Sequence, residues 1–292
     1  MASEHRPITA VERGYLEAIV AAPRDDGPRL VYADWLQREG EALHGELITV
    51  QCALAQQGDE RRQASLRARE AQLLAAPELA WLEPFMELAA RSFGGSMRPR
   101  RGFIDSGAMV SRPPQLLEAH RGLQRYAPFI RRMRLLGCPG AELEQLLAAG
   151  ALSRFSALEL HDHPAYQGRP VHSQHTPLPS LTKLELRQLA LPAAFVEQLF
   201  ARPLPALEEL TLDECLLSQG SLPTLVAHAP PRLRKLKVSR CMGSNEFDQL
   251  ARLRLDELHV KGSWIPHQDA RQLRRAIRRC VLQSDFLPQP VG

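Results

Sequence analysis

The chain has 292 residues, of which 44% are hydrophobic and 24% are charged, a composition typical of a folded protein rather than of a disordered one. No apolar run approaches the roughly 18–20 residues that a membrane span needs, and the polar first residues do not resemble a secretory signal, so we expect a cytoplasmic protein. The five cysteines form no CxxC motif, and an odd number in such a chain favours reduced thiols over a disulfide framework.

The net charge of +4 is divided unevenly along the chain. Residues 1–100 contain 12 Arg against 15 Asp and Glu, whereas residues 101–292 contain 25 Lys and Arg against 18 Asp and Glu. The basic excess of the second part is modest and dispersed. The placement of the charges therefore has to be considered before nucleic acid is proposed as a partner.

Residues 12–100 have the apolar spacing of helices and no internal repeat. The first helix is predicted over residues 14–22. The second begins after Asp26, a suitable N-cap, and ends at Gly40; its predicted inward residues are Leu30, Val31, Trp35 and Leu36. Three further helices are predicted at 45–56, 60–75 and 77–91. Together they would form a small helical bundle.

Three acidic residues stand out at the second helix: Asp25, Asp26 and Asp34. Such carboxylates could in principle serve acid–base chemistry or bind a metal. Asp26, however, stands where the helix needs an N-cap, and Asp34 falls on the more polar side of the helix. We therefore interpret this stretch as a structural helix-turn unit.

The same region resembles the repeat-companion domain, a bacterial module found at the N-terminus of repeat proteins. The matching stretches are "YLEAIVAAPRDDGPRLVYADWLQREG", "HGELITVQ", "WLEPF" and "RGFIDS", between residues 12 and 106. No activity is assigned to this module, so the resemblance implies a bacterial interaction protein. We place this helical domain at residues 1–100.

The second part of the chain repeats the pattern L-x-x-L-x-L-x-x-N/C, in which the apolar residues face inward and the last residue turns the chain. The starts are separated by 25, 26, 26, 26 and 22 residues, and the six copies begin at Ile130, Phe155, Leu181, Leu207, Leu233 and Leu255. A weaker copy begins at Ile104. Residues 101–292 therefore resemble a leucine-rich repeat solenoid, and the predicted fold class is α/β.

Such a solenoid has a parallel sheet with helices on its convex side. Return helices are predicted at 141–149, 193–201, 221–229 and 245–253. Cys138, Cys215 and Cys241 take the turn position, where a small buried side chain fits. The arginine-rich tail is interpreted as a C-terminal helical cap, although such a helix could also contact anionic membrane or nucleic acid; its arginines are Arg271, Arg274, Arg275, Arg278 and Arg279.

The outward strand positions of the six copies align in three columns across the predicted sheet. The first column alternates in sign from Lys183 to Glu257, so that neighbouring charges compensate. The face is a mixed ladder without aromatic residues for base stacking, which disfavours nucleic acid and suits another protein. The predicted partner-binding residues are Arg132, Arg134, Glu159, His161, Lys183, Glu185, Arg187, Glu209, Asp213, Lys235, Lys237, Glu257, His259 and Lys261.

The best metal candidate is a group of imidazoles that could bind zinc, formed by His161, His163, His172 and His175. Nothing in the sequence orients them, and the common nucleotide-binding, zinc-protease and serine-hydrolase motifs are absent. We therefore expect a non-enzymatic adaptor without a cofactor, which binds an unidentified protein mainly on the concave face of the sheet. Two alternatives stay open: a regulatory or effector-associated subunit whose helical domain makes the working contact, and a metal-dependent enzyme that uses the histidine cluster.

Overall fold

The computed structural model describes residues 8–56, 58–82, 99–104, 108–137, 140–161 and 176–283. It is a mixed α/β protein with a large parallel sheet of eight strands and a helical N-terminal region. The chain divides into two compact units. The first comprises residues 1–110 and 118–131, and the second comprises residues 111–117 and 132–292.

The first unit begins with four α-helices, which lie close to their predicted positions. They are α1 (Ala10–Ala21), α2 (Gly27–Arg38), α3 (Ala42–Ala55) and α4 (Glu60–Leu74). The fifth predicted helix starts as a 3-10 helix at Pro77–Leu82, and residues 83–98 lie outside the described residues. Helix α5 (Pro113–Tyr126) contributes its later residues to this unit.

Of two predictions about α2, one holds in part and the other is wrong. Asp26 takes the N-cap position, as predicted, but its side chain makes no capping hydrogen bond; the Asp25 Oδ1 accepts the Gly27 N–H at 2.9 Å instead. Val31 is exposed. The inward face instead follows the helical spacing of i, i+3 and i+4, and the buried residues are Arg29, Tyr32, Ala33, Trp35 and Leu36.

Helix α3 packs tightly on α2 because it carries a glycine at the contact. A Cβ on Gly45 would lie 2.5 Å from the Ala33 carbonyl oxygen, a distance that no side chain could occupy. Helices α1, α2 and α3 together enclose an apolar core. It includes Leu16, Ile19, Trp35, Leu36, Ile48, Cys52 and Phe103.

A buried amide connects α3 to the later segment "RGF". The Gln51 Oε1 accepts the Gly102 N–H at 2.7 Å, and its Nε2 donates to the Pro99 carbonyl at 2.9 Å. Gly102 has a φ of 83°, and a Cβ there would overlap the Ile48 side chain. Two of the stretches that carry the family resemblance are thus in direct contact.

The second unit contains most of the parallel sheet. The strands are β1 (Ala108–Ser111), β2 (Arg132–Leu136), β3 (Ala157–His161), β4 (Lys183–Arg187), β5 (Ala190–Leu191), β6 (Glu209–Asp213), β7 (Leu216–Leu217), β8 (Lys235–Ser239), β9 (Glu257–Lys261) and β10 (Arg279–Gln283). The order in the large sheet is β1-β2-β3-β4-β6-β8-β9-β10, and the two-residue strands β5 and β7 pair separately.

The apolar residues of the repeated pattern bury one face of each strand, as expected from the period of two. Leu210, for example, is fully buried and lies in register between Leu184 and Leu236. In each of the other strands from β2 to β9 that belong to the large sheet, two residues separated by one position are buried in the same way: Met133 and Leu135, Leu158 and Leu160, Leu184 and Leu186, Leu236 and Val238, Leu258 and Val260.

The connecting helices also lie where the sequence predicts them. They are α6 (Gly140–Ala148), α7 (Ala193–Phe200), α8 (Ser221–Ala227), a 3-10 helix (Phe247–Arg252) and α9 (His267–Ala276). The fourth is 3-10 rather than α. Helix α9 buries Asp269, Ala270 and Leu273, and Ile277, which follows the helix, is also buried.

The prediction that this basic helix terminates the fold is wrong. The chain continues into β10, which pairs in parallel with β9 and places Cys280 beside Leu258 and Leu282 beside Val260. Ile277, Cys280 and Leu282 repeat the L-x-x-L-x-L spacing. A cysteine in the second apolar position concealed this copy.

Strands β4, β6 and β8 are each followed by a residue whose backbone is left-handed. Each of these residues adds one more hydrogen bond to the backbone ladder of the parallel sheet. These residues, Gln188, Glu214 and Arg240, have φ values of 53°, 55° and 51°. Their N–H groups donate at 2.7–2.9 Å to the carbonyl of the last residue of the next strand along the sheet. The buried Cys215 and Cys241 follow directly, as predicted for the turn position, while Cys138 lies outside the described residues.

Candidate functional site

The exposed face of the sheet, which we call the open face, carries the predicted columns in register. Strand pairing places Lys183, Glu209, Lys235 and Glu257 side by side. The second column runs Arg134, Glu159, Glu185, Thr211, Lys237 and His259, and the third runs Leu136, His161, Arg187, Asp213, Ser239 and Lys261. The alignment of the columns is confirmed, whereas their binding of a partner stays a prediction.

Ion pairs form within the first column and between the first and second columns. The Lys183 Nζ lies 3.4 Å from Glu209 Oε1, and the Lys235 Nζ lies 2.9 Å from Glu257 Oε2. The Lys237 Nζ lies 2.8 Å from the same Glu209 Oε1. Burial would raise the pKa of Glu209, but the hydrogen bond from Lys237 and the charge of Lys183 outweigh this effect and hold the pKa below its ordinary value.

Arg187 is the centre of a second group of ion pairs. Its guanidinium lies 2.6 Å from Glu185, 3.2 Å from Glu159 and 3.1 Å from Asp213. Arg134 approaches Glu159 from the other side at 2.7 Å. The centre of the open face therefore consists largely of charged side chains that hold one another in place, and Thr211 and Asp213 are buried among them.

A fourth polar column, which the sequence reasoning missed, comprises the turn residues Gln188, Glu214 and Arg240. Arg240 binds Asp213 and Glu214, each at 2.8 Å, and the Gln188 Nε2 donates to Glu214 at 2.7 Å. These residues are recognisable in the sequence because each directly follows a predicted strand. The column widens the charged network at one edge of the open face.

An exposed apolar ladder lies beside this column. Leu216, Met242 and Trp264 have 52%, 70% and 56% of their surface exposed. Leu216 pairs with Ala190 on one side and with Met242 on the other, and Trp264 takes the same position in the following copy of the pattern. Neighbouring exposed apolar side chains of this kind mark interaction surfaces.

The lysines of the chain are concentrated on the open face. The sequence contains only four, and every other strongly basic residue is arginine. All four occupy outward strand positions: Lys183, Lys235, Lys237 and Lys261. This face therefore differs chemically from the rest of the chain.

The candidate metal site is only partly within the described residues, whereas the carboxylates around the start of α2 are described. His161 Nε2 lies 2.8 Å from the Gln188 Oε1, and His163, His172 and His175 lie outside the described residues. Within the described part of the chain, no group of three or more candidate ligands is positioned to hold a metal ion. The Asp25 Oδ1 accepts the Gly27 N–H, and Asp26 Oδ1 lies 3.4 Å from the Arg101 Nε.

The first unit contains a buried ionic cluster that the sequence reasoning also missed. The Arg125 guanidinium donates to both carboxylate oxygens of Glu12, at 2.5 and 2.7 Å, and the Tyr32 hydroxyl donates to the same carboxylate at 2.9 Å. His44 and Tyr126 pack edge to face beside it. Burial, reinforced by the charge of Glu12, raises the pKa of Tyr32 far above its ordinary value.

A signal for this cluster was present in α1. Glu12 shares its helical face with Leu16 and Ile19, both buried, and a charged residue in an apolar stripe requires a partner. The enclosed position of the cluster favours a structural role. Within the first unit, the cluster connects α1 through Glu12, α2 through Tyr32 and α5 through Arg125.

Comparison with known protein families finds no match, and no curated protein matches the chain. Among solved structures, a protein from Bacteroides fragilis is similar with a TM-score of 0.35 and 13% sequence identity; the similarity covers 56% of this chain and 68% of that one. At this TM-score the likeness carries no argument about fold or function. None of the helices in the described ranges is long and apolar enough to cross a membrane.

Proposed function

We propose that this protein is a cytoplasmic bacterial adaptor that binds another protein. In this proposal residues 101–292 form a leucine-rich repeat solenoid, the open face is its concave surface, and residues 1–100 are a repeat-companion domain. The bound partner covers the charged columns and the apolar ladder. No chemical reaction is proposed.

The observation that carries the proposal is the combination of an ordered charge network with adjacent exposed apolar residues. Exposed ion pairs contribute only about 0–1 kcal/mol each to stability. They do, however, fix long side chains in one arrangement, which reduces the ordering cost of binding and gives electrostatic specificity. Trp264 and Met242 supply the large apolar contacts in which binding energy is usually concentrated.

A second candidate is that the helical domain makes the working contact. Val11 on α1 and Val31 on α2 are both exposed, although each lies on a helix whose other face builds the core of the first unit. Isolated exposed apolar residues are common on protein surfaces. We therefore rank this candidate second.

The test is a set of charge reversals on the open face. Because Lys237 also binds Glu209, reversing the first column alone would place like charges together. The variant therefore combines Lys183→Glu, Glu209→Lys, Lys235→Glu, Glu257→Lys and Lys237→Glu, which inverts the pattern, keeps opposite charges adjacent among these five positions and gives up the contact between Glu257 and His259. The matched control carries Glu60→Arg, Arg61→Glu and Arg67→Glu on α4 and changes the net charge equally.

Both variants are compared with wild type in affinity capture from the native host, with thermal unfolding as the check on folding. We expect the open-face variant to lose the captured protein while unfolding near the wild-type temperature, and the control to retain it. If the open-face variant retains the partner and the α4 control loses it, the helical domain holds the site. Retention by both variants would also contradict the proposal.

A further inference from the structure

Strand β10 is the last strand of the sheet, and its outer edge has unpaired backbone groups. The Arg279 N–H donates to the Asp256 carbonyl at 3.2 Å, and the Gln283 carbonyl accepts the Gly262 N–H at 2.8 Å. In a parallel pair, alternate residues direct their backbone groups to the same neighbour. The N–H and C=O groups of Cys280 and Leu282 therefore point away from β9, and no strand of the described residues pairs with them.

Within the described ranges, this edge shows few of the features that prevent strand addition. Protein edges are usually protected by proline, bulges, inward charges or a covering element. Strand β10 has the sequence RCVLQ, pairs with β9 without a bulge over all five residues, and exposes Val281. Among the described residues, it is a regular strand with a hydrogen-bonding edge available.

The surroundings of the edge are strongly basic. Arg274, Arg278 and Arg279 are exposed around the start of β10, and none of them makes an ion pair within the described part of the chain, although Asp256 lies beside the last two. Arg271 and Arg275 of α9 instead border a groove with Ala251 of the preceding 3-10 helix. The nearest outward acid on β9, Glu257, is already engaged by Lys235 and His259. Lys261 adds a further positive charge on β9.

We infer that an extended, acidic segment of a partner protein adds to β10 as a further strand. The free N–H and C=O groups supply the ladder bonds, and the arginines bind Asp and Glu side chains beside it. RNA and lipid headgroups would satisfy the arginines but have no strand to pair with the edge. A second copy of this chain would bring the same arginines against one another.

The inference is tested with short fluorescent peptides and the full-length protein. The probe alternates valine and glutamate, and its matched counterpart has lysine in place of every glutamate. A third peptide keeps the glutamates but is N-methylated at alternate residues, which removes the amide hydrogens on one edge without changing charge. We expect anisotropy to show binding of the acidic probe, no binding of the lysine peptide, and a loss of about tenfold or more on N-methylation, since strand addition relies on these bonds.

Protein variants provide the complementary measurement. Cys280→Pro removes an outward N–H without removing a bond to β9, and Cys280→Ala keeps that N–H. We expect the proline variant to bind the acidic probe about tenfold more weakly and the alanine variant to bind like wild type. Arg278→Glu with Arg279→Glu should also abolish binding, whereas Arg61→Glu with Arg67→Glu should not.

Equal binding of the acidic and lysine peptides, or no binding of either, would overturn the inference. So would loss of binding in the arginine variant with full binding of the N-methylated peptide, because this result describes a general anion site for RNA or lipid. The open-face variant keeps the β10 edge and its arginines and should still bind the acidic probe, at least as tightly as wild type, because Glu257→Lys removes the acid beside Arg279. The result is therefore independent of the partner-capture experiment.

Discussion

The two units use the same kind of ion pair in opposite environments. In the first unit Glu12 and Arg125 have side chains that are 0% and 3% exposed, whereas on the open face Glu209 and Lys183 are 24% and 40% exposed. A buried pair has lost its hydration, so removal of one partner leaves an uncompensated charge. An exposed pair exchanges its partner for water at little cost.

This difference teaches which charges are available for recognition. The buried cluster joins α1, α2 and the end of α5, and a change there should be measured as lost stability. The open-face network can be rearranged or covered by a partner without loss of the fold. Substitutions in the two environments should therefore differ widely in their effect on the free energy of unfolding.

The largest effect is expected in the apolar layer beneath the open face. Leu210→Asp would bury a carboxylate between Leu184 and Leu236 and should cost more than about 4 kcal/mol. The control is Leu216→Asp in the exposed apolar ladder, for which we expect a change within about 0.5 kcal/mol. Denaturant unfolding of both variants measures the difference, and equal stabilities would contradict the assignment of the buried face.

The next largest effect is expected at the buried ionic cluster. Glu12→Gln keeps the size of the side chain but removes the nearer of the two carboxylates around Arg125, so that the counter-charge at Glu41, 3.8 Å away, has to serve alone; this should cost about 3 kcal/mol. The same change at Glu209 should cost less than about 1 kcal/mol. Chemical denaturation of the two variants measures the difference directly. If the Glu12→Gln variant were as stable as the Glu209→Gln variant, the contrast between the buried and the exposed ion pair would be wrong.

The smallest expected effect is the pH dependence of the open-face pairs. The pKa of Glu209 and that of Glu257 are both held below the ordinary value, the latter mainly by the hydrogen bond from Lys235. A lowered folded-state pKa gives stability that is complete above the unfolded-state value of about 4.3 and is lost as pH falls through the folded-state value. The small stability difference between wild type and Glu209→Gln should therefore shrink as the pH falls below the unfolded-state value and vanish once the pH is below the lowered folded-state pKa of Glu209.

The unfolding measurements for this pair of proteins are made at neutral pH and at a series of acid pH values. A difference that grew on acidification would have the wrong sign for these pKa shifts. A difference independent of pH would show that the Glu209 carboxylate makes no contribution that depends on its charge. Either result would mean that the ion pairs of Glu209 with Lys183 and Lys237 do not stabilise the folded protein.

Much of the second unit was predictable because a local spacing determines its strands. The i, i+3, i+5 apolar pattern fixes which face of each strand is buried, and a constant period fixes the register with the neighbouring strand. From these two facts the columns of the open face follow. Strand β10 escaped prediction because cysteine and leucine alternate there with arginine, valine and glutamine, so the copy reads as part of a basic helix.

The first unit was less predictable because its decisive contacts are distant in sequence. Glu12 and Arg125 are 113 residues apart, and no local pattern pairs them. The error at Val31 had a different cause, since several apolar residues of α2 could face the core in more than one rotation of the helix. The apolar ladder was missed because its residues lie after the repeated pattern, where the sequence reasoning assigned only turns.

The location of the partner is tested most directly by lysine labelling, because all four lysines of the chain lie on the open face. The captured complex and the free protein are treated with an acetylating reagent, and modification of each lysine is measured by mass spectrometry after denaturation and digestion. We expect Lys183, Lys235 and Lys237 to be modified in the free protein and protected in the complex. Equal modification of these three lysines in both samples would contradict the claim that the open face binds the partner.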